Sequence, residues 1–538
     1  MADKNRHNRG KLDRRQMLKY SALGSGLVGA GLPFISVTGS SPLVASNQII
    51  EENRKPGTTD WQLTYVRSQN YRSPDIEGYC SRTSVRPGES LDIFVSASTD
   101  TSVTIDIYRM GYYGGKGGRF ITQLGPFNIS PQPDPVIAEH RLRECLWERT
   151  TKLTIPDDWL SGVYLGKLSC PDHRFESYVI FIVRDDREAD LLFQCSDTTW
   201  QAYNKWPDSW SLYDSDEPRQ PHGIRTWTSF DRPYGKYPQI LDQPLSQGSG
   251  EFLLWEYPLS YWLEQQGYDV TYCSNIDTHE DPAGLKRVKG FLSVGHDEYW
   301  TLDMFHHVRD AVDEGLNVAF LSSNSIMMAV ELKPASTISA DMIDPWTGLG
   351  HDGNRVKVEF DTGGSPNRIM YRTARFGGVT DAERETGIMG PFTVEAPNEN
   401  TLIGARTMYP FNGSADWIVS RADHWIFEGT GLENGDRIRG LVGWEHHGDP
   451  ADIPGLEVIA EGKTINSGGR ESNYTATVYP GPEGNWVFNA ATIYWPMGLS
   501  NPPGHIVPHS HHGSPQGEDE RVQQITTNFF ERIGVRPG

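Results

Sequence analysis

Four short apolar runs constrain the fold of this chain more than anything else in it. They are "DLLFQC" (190–195), "DVTYCS" (269–274), "GFLSVG" (290–295) and "NVAFLSS" (317–323). Each is too short for a helix and is bounded by polar or glycine residues, as fully buried strands are. Two stretches of helical spacing lie between them. In "FLLWEYPLSYWLEQQG" (252–267), Leu253, Tyr257, Tyr261 and Glu264 fall on successive turns, and Gly267 supplies the stop. In "LDMFHHVRDAVDEG" (302–315) the helix is capped by Thr301. Apolar strands interleaved with helices in this way predict a parallel, doubly wound sheet covered on both faces.

The 538 residues exceed what one ordinary core holds. From about 60 to 186 the rhythm has period two. In "VTIDIYRMGYYGG", Val103, Ile105 and Ile107 point one way while Thr104, Asp106 and Tyr108 point the other. Further short runs such as "GESLDIFVSAS" and "SYVIFIVRDD", with no helix among them, predict an immunoglobulin-like β-sandwich. Residues 187–538 form the α/β region. Within it, 335–500 reads as a β-rich continuation, with strands at "NRVKVEF", "GLEVIAEG", "YTATVYP" and "NWVFNAATIYW". Residues 501–538 read as a loop and one amphipathic helix.

A formal net charge of -21, with no long basic run after the first 20 residues, argues against nucleic acid or an anionic membrane as partner. At the N-terminus, Arg14-Arg15 precede a weakly hydrophobic, Gly-rich stretch, and "SPLVAS" follows with small residues for cleavage. That order is a twin-arginine export signal covering about residues 1–46. Its apolar stretch is too short and broken to span a bilayer, so the expected location is periplasmic or extracellular, with no membrane span in the mature chain. An oxidising compartment permits a disulfide among Cys80, Cys145 and Cys170, and five cysteines leave at least one thiol unpaired.

The chemistry concentrates in "FLSVGHDEYWTLDMF" (291–305). His296, Asp297, Glu298 and Tyr299 arrive together at the carboxyl end of a central parallel strand, where ligands of open α/β sheets bind. Asp297 also suits a plain helix approach. No GxSxG, HExxH or GxxxxGK[ST] motif occurs. "GLGHDG" at Gly348 matches the dinucleotide pattern but follows no strand. Ser322 or Ser323 lacks the glycines of a nucleophile elbow, and Asn324 suits a hydrogen bond to a substrate oxygen. Phenolate and carboxylate oxygens are hard ligands that favour a trivalent, iron-like ion. Tyr299 with a second tyrosine, Tyr203 or Tyr257, would make such a set, and "GLVGWEHHGDP" adds Glu445, His446 and His447. A rival divalent site is His505, His509, His511 and His512. Trp200, Tyr203, Trp206, Trp210 and Tyr213 suit either a packed lid or stacking on a ligand.

Taken together, "PGESLDIFVSAS…IDIYRMGYYGGKGGR", "WQAYN…SLY", "WEYPLSYWLEQQGYDVTY", "GHDEYW" and "GLVGWEHHGD" resemble the large subunit of the N,N-dimethylformamidase family, from about residue 60 to the end. The resemblance implies an immunoglobulin-like domain joined to a class I amidotransferase-like (flavodoxin-like) α/β domain. It also implies a ferric ion held by two tyrosines and one glutamate, hydrolysing a small amide. Carried over residue by residue, Tyr299 looks like one ligand, Tyr257 like the second tyrosine and Glu385 like the glutamate. His296 and Glu298 match the neighbours of Tyr299, Glu445 looks like an acid behind the ligands, and these with Asn324, read from its strand end, are the expected catalytic residues. A homo-oligomer or a small partner subunit is compatible with the chain. A reading from another class is a non-catalytic extracellular protein that grips a carbohydrate or other ligand on the same fold.

Overall fold

A computed structural model describes residues 47–538 except 67–70, 217–225, 237–245, 387–391, 393, 409–411, 509–512 and 514. The twin-arginine segment and His509, His511 and His512 lie outside the described residues. The chain is mixed α/β, with strands predominating.

Its largest sheet has nine strands. Five are parallel, in the spatial order Val270–Ser274, Ala189–Cys195, Val288–His296, Asn317–Ser323, Trp486–Asn489. Numbered along the chain these are 2-1-3-4-5, so strand order reverses between Ala189–Cys195 and Val288–His296. Four antiparallel strands (Glu471–Pro480, Glu457–Asn466, Gly413–Ile418, Arg437–Trp444) extend the sheet. "NRVKVEF" forms no strand and contributes only an isolated bridge at Phe360.

Alternation along the parallel strands explains why both faces are covered. Leu191, Phe193, Leu292, Val294, Ala319 and Leu321 pack into one core together with Leu259, Trp262 and Leu263 of the helix Tyr257–Gln266. Leu192, Phe291, Val318 and Phe320 pack into another with Met304, Phe305, Val308 and Val312 of the helix Leu302–Asp313. Gly267 closes the first helix at φ +79°, and Thr301 Oγ1 accepts from Met304 N–H to start the second.

The N-terminal strands form a three-stranded antiparallel sheet and a five-stranded sheet that is antiparallel except for its edge strand Ser84–Val85, and the two share a third core of Ile93, Val95, Ile105, Ile107, Val179 and Phe181. The opposite face of the five-stranded sheet (Tyr108, Val163, Leu165, Ile180, Ile182) joins the first core. A buried ion pair holds that seam, with Arg109 Nη2 and Nη1 donating to Glu264 Oε1 and Oε2 at 2.8 and 3.0 Å. All five cysteines are buried and free, so the expected disulfide is not formed. Among the described residues no helix is long and apolar enough to cross a membrane.

Candidate functional site

The strand Val288–His296 turns at Gly295, whose φ is +62°. A Cβ there would stand 2.7 Å from Trp255 Cβ, so only glycine fits. Asp297 pins the turn that follows, accepting from Gln194 Nε2, Asn275 Nδ2 and Ser293 Oγ at 2.8–2.9 Å. Its work is structural. Thr199 Oγ1 accepts from the N–H groups of Glu298 and Tyr299 and fixes their direction. Thr199 sits on the short helix Asp197–Tyr203, which begins just past the end of the strand Ala189–Cys195. The two segments that face each other therefore leave neighbouring strands at the reversal of strand order.

This juxtaposition brings Tyr203, Tyr213 and Glu298 together. Tyr203 Oη donates to Glu298 Oε2 at 2.7 Å, and Tyr213 Oη donates to Tyr203 Oη at 2.7 Å. Tyr213 Oη also stands 3.2 and 3.3 Å from the Glu298 oxygens. Three oxygens thus form a triangle of near-contact edges. Tyr299 lies one step behind them, donating to Tyr213 Oη at 2.7 Å and accepting from the Arg372 guanidinium. Arg372 also lies over the Tyr213 ring at 4.3 Å. Burial, and after it Glu298, raises the phenols of Tyr203 and Tyr213 well above their ordinary pKa. Burial also raises Tyr299, against the opposing pull of Arg372.

Beside the triangle, His296 stands among three carboxylates. Its Nε2 is 3.2 Å from Glu298 Oε2 and 3.5 Å from Glu445 Oε2, and its Nδ1 is 3.5 Å from Glu251 Oε2. Burial opposes charge on this ring, but the carboxylates outweigh it and hold its pKa well above the usual value. Glu445 and Glu251 are raised, chiefly by burial. Asn324 follows Ser323, the residue registered against His296 across the parallel pair. It is buried at φ +54°, and among the described residues its Oδ1 has no hydrogen-bond partner. Left-handed backbone at a non-glycine residue stores strain of the kind found at working sites.

Two expected ligands are not brought to this cluster. Tyr257 starts its helix with the ring edge-on to Trp61 at 5.6 Å and the hydroxyl against Gly117, toward the N-terminal strands. Glu385 is exposed on the short helix Asp381–Thr386. Glu251 and Arg372 were not anticipated as site residues, and Tyr213 was anticipated as a stacking or lid aromatic, not as an oxygen donor. Tyr213 sat in an aromatic-rich loop whose local pattern reads equally as packing. Arg372 lies on a strand (Arg368–Arg375), where the single signal is a cation in a run otherwise half apolar. Ser322 is committed to hydrogen bonds with Ser293 and Ser325, and no described base faces it there. Among the described residues no group of three or more His, Cys, Asp and Glu is placed to hold a metal ion.

The family described as N,N-dimethylformamidase beta subunit-like, C-terminal, matches residues 104–507. The chain belongs to that family. No curated protein matches it. The part that matches the dimethylformamidase beta subunit-like family contains the whole cluster, from Tyr203 to Glu445, and reaches back into the N-terminal strands.

Proposed function

We propose that this dimethylformamidase beta subunit-like chain is an exported hydrolase of a small amide, with a mononuclear ferric ion held by Tyr203, Tyr213 and Glu298. The observation that carries this reading is the oxygen triangle of Tyr203 Oη, Tyr213 Oη and Glu298 Oε2, with edges of 2.7, 2.7 and 3.3 Å. Oxygens about 2.0 Å from one ion stand ~2.8 Å apart in octahedral and ~3.3 Å apart in tetrahedral arrangements, so the donors fit without rearrangement. Charge argues the same way. Glu251, Glu298 and Glu445 crowd one imidazole, and two raised phenols can ionise near pH 7 only beside a strong cation.

When bound, the ion supplies a Lewis acid for an amide carbonyl and for water. The chain's own residues do the rest. Asn324 offers its side-chain amide to the substrate carbonyl. His296 and Glu445 share a proton between Nε2 and Oε2 and pass it to the departing amine, a step typically worth ~10²–10⁴ in rate. Glu251 keeps the other ring nitrogen engaged. Tyr299 and Arg372 back the ligand Tyr213 from behind.

The 2-1-3-4-5 strand order supports the amidotransferase-like reading of residues 187–538, and the paired antiparallel sheets support the immunoglobulin-like reading of 60–186. Export to the periplasm or exterior rests on Arg14-Arg15 and the stretch after them. The test is purification with ferric iron, followed by metal analysis and visible spectroscopy. One iron per chain, with a tyrosinate-to-iron band abolished in Tyr203→Phe, supports the site. Release of amine from a panel of small amides supports the reaction. A colourless chain without iron sinks the proposal.

A further inference from the structure

A second charged cluster lies where the turn at Glu139–Arg141 packs against the aromatic loop. Arg143 is 7% exposed, yet among the described residues it makes no hydrogen bond or ion pair. Its guanidinium lies over the Trp210 ring at 4.6 Å, and that of Arg141 lies over the same ring at 4.2 Å. Arg141 is engaged with Asp216 and with the Ser209 carbonyl. Arg232, also buried, donates to Gln201 Oε1 and to the carbonyls of Asn204, Trp206 and Trp210, and to no carboxylate. Burial lowers the pKa of Arg143 to about 10 and that of Arg232 to about 9. In a chain of net charge -21, Arg143 and Arg232 thus make no hydrogen bond or ion pair with a carboxylate among the described residues, although Asp134 favours charge on Arg143 from further off. A buried charge without a counter-charge is costly and persists where a ligand compensates it. The turn that carries them is strained as well, since His140 and Arg141 both adopt left-handed backbone at φ +56° and +61°.

We propose that Arg143, with Arg141 and the Trp210 ring, forms a carboxylate-binding subsite beside the phenol cluster. A guanidinium matches a carboxylate with two parallel N–H donors, and the indole gives the carbon chain an apolar wall. Trp210 precedes Tyr213 by three residues, so the subsite stands within ~11 Å of chain from a proposed ligand of the ion. Two carboxylates suit that position: one borne by the amide substrate, or the acid that amide hydrolysis releases. This use of the subsite rests on the hydrolase reading, whereas the binding itself does not.

Isothermal titration of the purified full chain with acetate decides the binding, with neutral acetamide as control. Saturable acetate binding is expected, weakened at least ~10-fold in Arg143→Gln and less in Arg143→Lys, with unchanged thermal unfolding showing that the variants fold. Absence of acetate binding, or equal binding by a folded Arg143→Gln, overturns the subsite. Kinetics then separate the sources. A preference for succinamic acid over butyramide that vanishes in Arg143→Gln assigns the substrate's carboxylate, and relief of acetate inhibition alone assigns the product. If acetate binds through Arg143 but no amide is hydrolysed, the subsite stands and the hydrolase reading falls.

Discussion

Each hydroxyl in the phenol cluster has one proton to give, and the two ends decide its direction. Arg372 has donors only, so Tyr299 Oη accepts from it and donates onward to Tyr213, then Tyr203, and a Glu298 carboxyl oxygen accepts last. The positive end thus lies behind the proposed ligands and the negative end at the ion. Arg372→Gln is expected to weaken ferric binding roughly 10–100-fold, as loss of outer hydrogen-bond partners does. It should also move the tyrosinate band to longer wavelength, since the phenol electrons lose a nearby positive charge. An unmoved band would discard this role. Tyr213→Phe should remove most of the visible absorbance while Tyr257→Phe leaves it intact, because Tyr257 packs on Trp61 instead. His296, Glu298 and Tyr299 were legible because polar groups crowd one turn after a buried strand. Tyr203 and Tyr213 become distinguishable from packing aromatics only when a strand 100 residues away in sequence meets them, as the Glu298–Thr199 contact shows.

At the scale of elements, the strand-to-turn junction at Gly295 sets the site. Gly295→Ala puts a methyl against Trp255 Cβ and O and strains a left-handed backbone, and about 1–3 kcal/mol of stability should be lost. Denaturant unfolding measures it, and a loss below 0.5 kcal/mol on the ~0.5 kcal/mol scale of ordinary surface changes would contradict the tight junction. Both helices with caps in their sequence, at Thr301 and Gly267, formed where the pattern placed them. Short elements fared worse. The helix Asp197–Tyr203 hid in an aromatic loop because its roughly two turns are wholly buried and carry no amphipathic stripe. "NRVKVEF" has strand-like alternation, but its neighbours offer only one bridge, at Phe360. Glu385 was misplaced for the same reason: a local pattern says nothing of which loop folds toward the sheet.

For the whole molecule, the seam between the N-terminal strands and the main sheet depends on Arg109 and Glu264. Both are fully buried, and Tyr113 Oη accepts a further hydrogen bond from Arg109 while Tyr272 Oη donates one to Glu264. Glu264→Gln strands the guanidinium, and a loss of about 3–5 kcal/mol is expected in equilibrium unfolding. Acid sensitivity has a distinct source. Ser325 N–H donates to His447 Nε2, so the ring proton sits on Nδ1 and is given to Asn489 Oδ1. Burial lowers His447 to about 4 and His446 to about 3, whereas unfolded imidazoles titrate near 6.5. Their contribution is full above pH 6.5 and is lost as pH falls toward those values, because the unfolded chain then binds the extra protons. His447→Asn should therefore lose less stability than the parent between pH 7 and pH 4.5, by on the order of 2 kcal/mol, and an equal loss would refute the assignment. The fifth parallel strand, Trp486–Asn489, enters beside Asn317–Ser323 only after more than 150 intervening residues. Ribosomes must therefore synthesise nearly the entire polypeptide before this layer can close. A premature stop anywhere before residue 486 would release a product whose naked strand border invites aggregation.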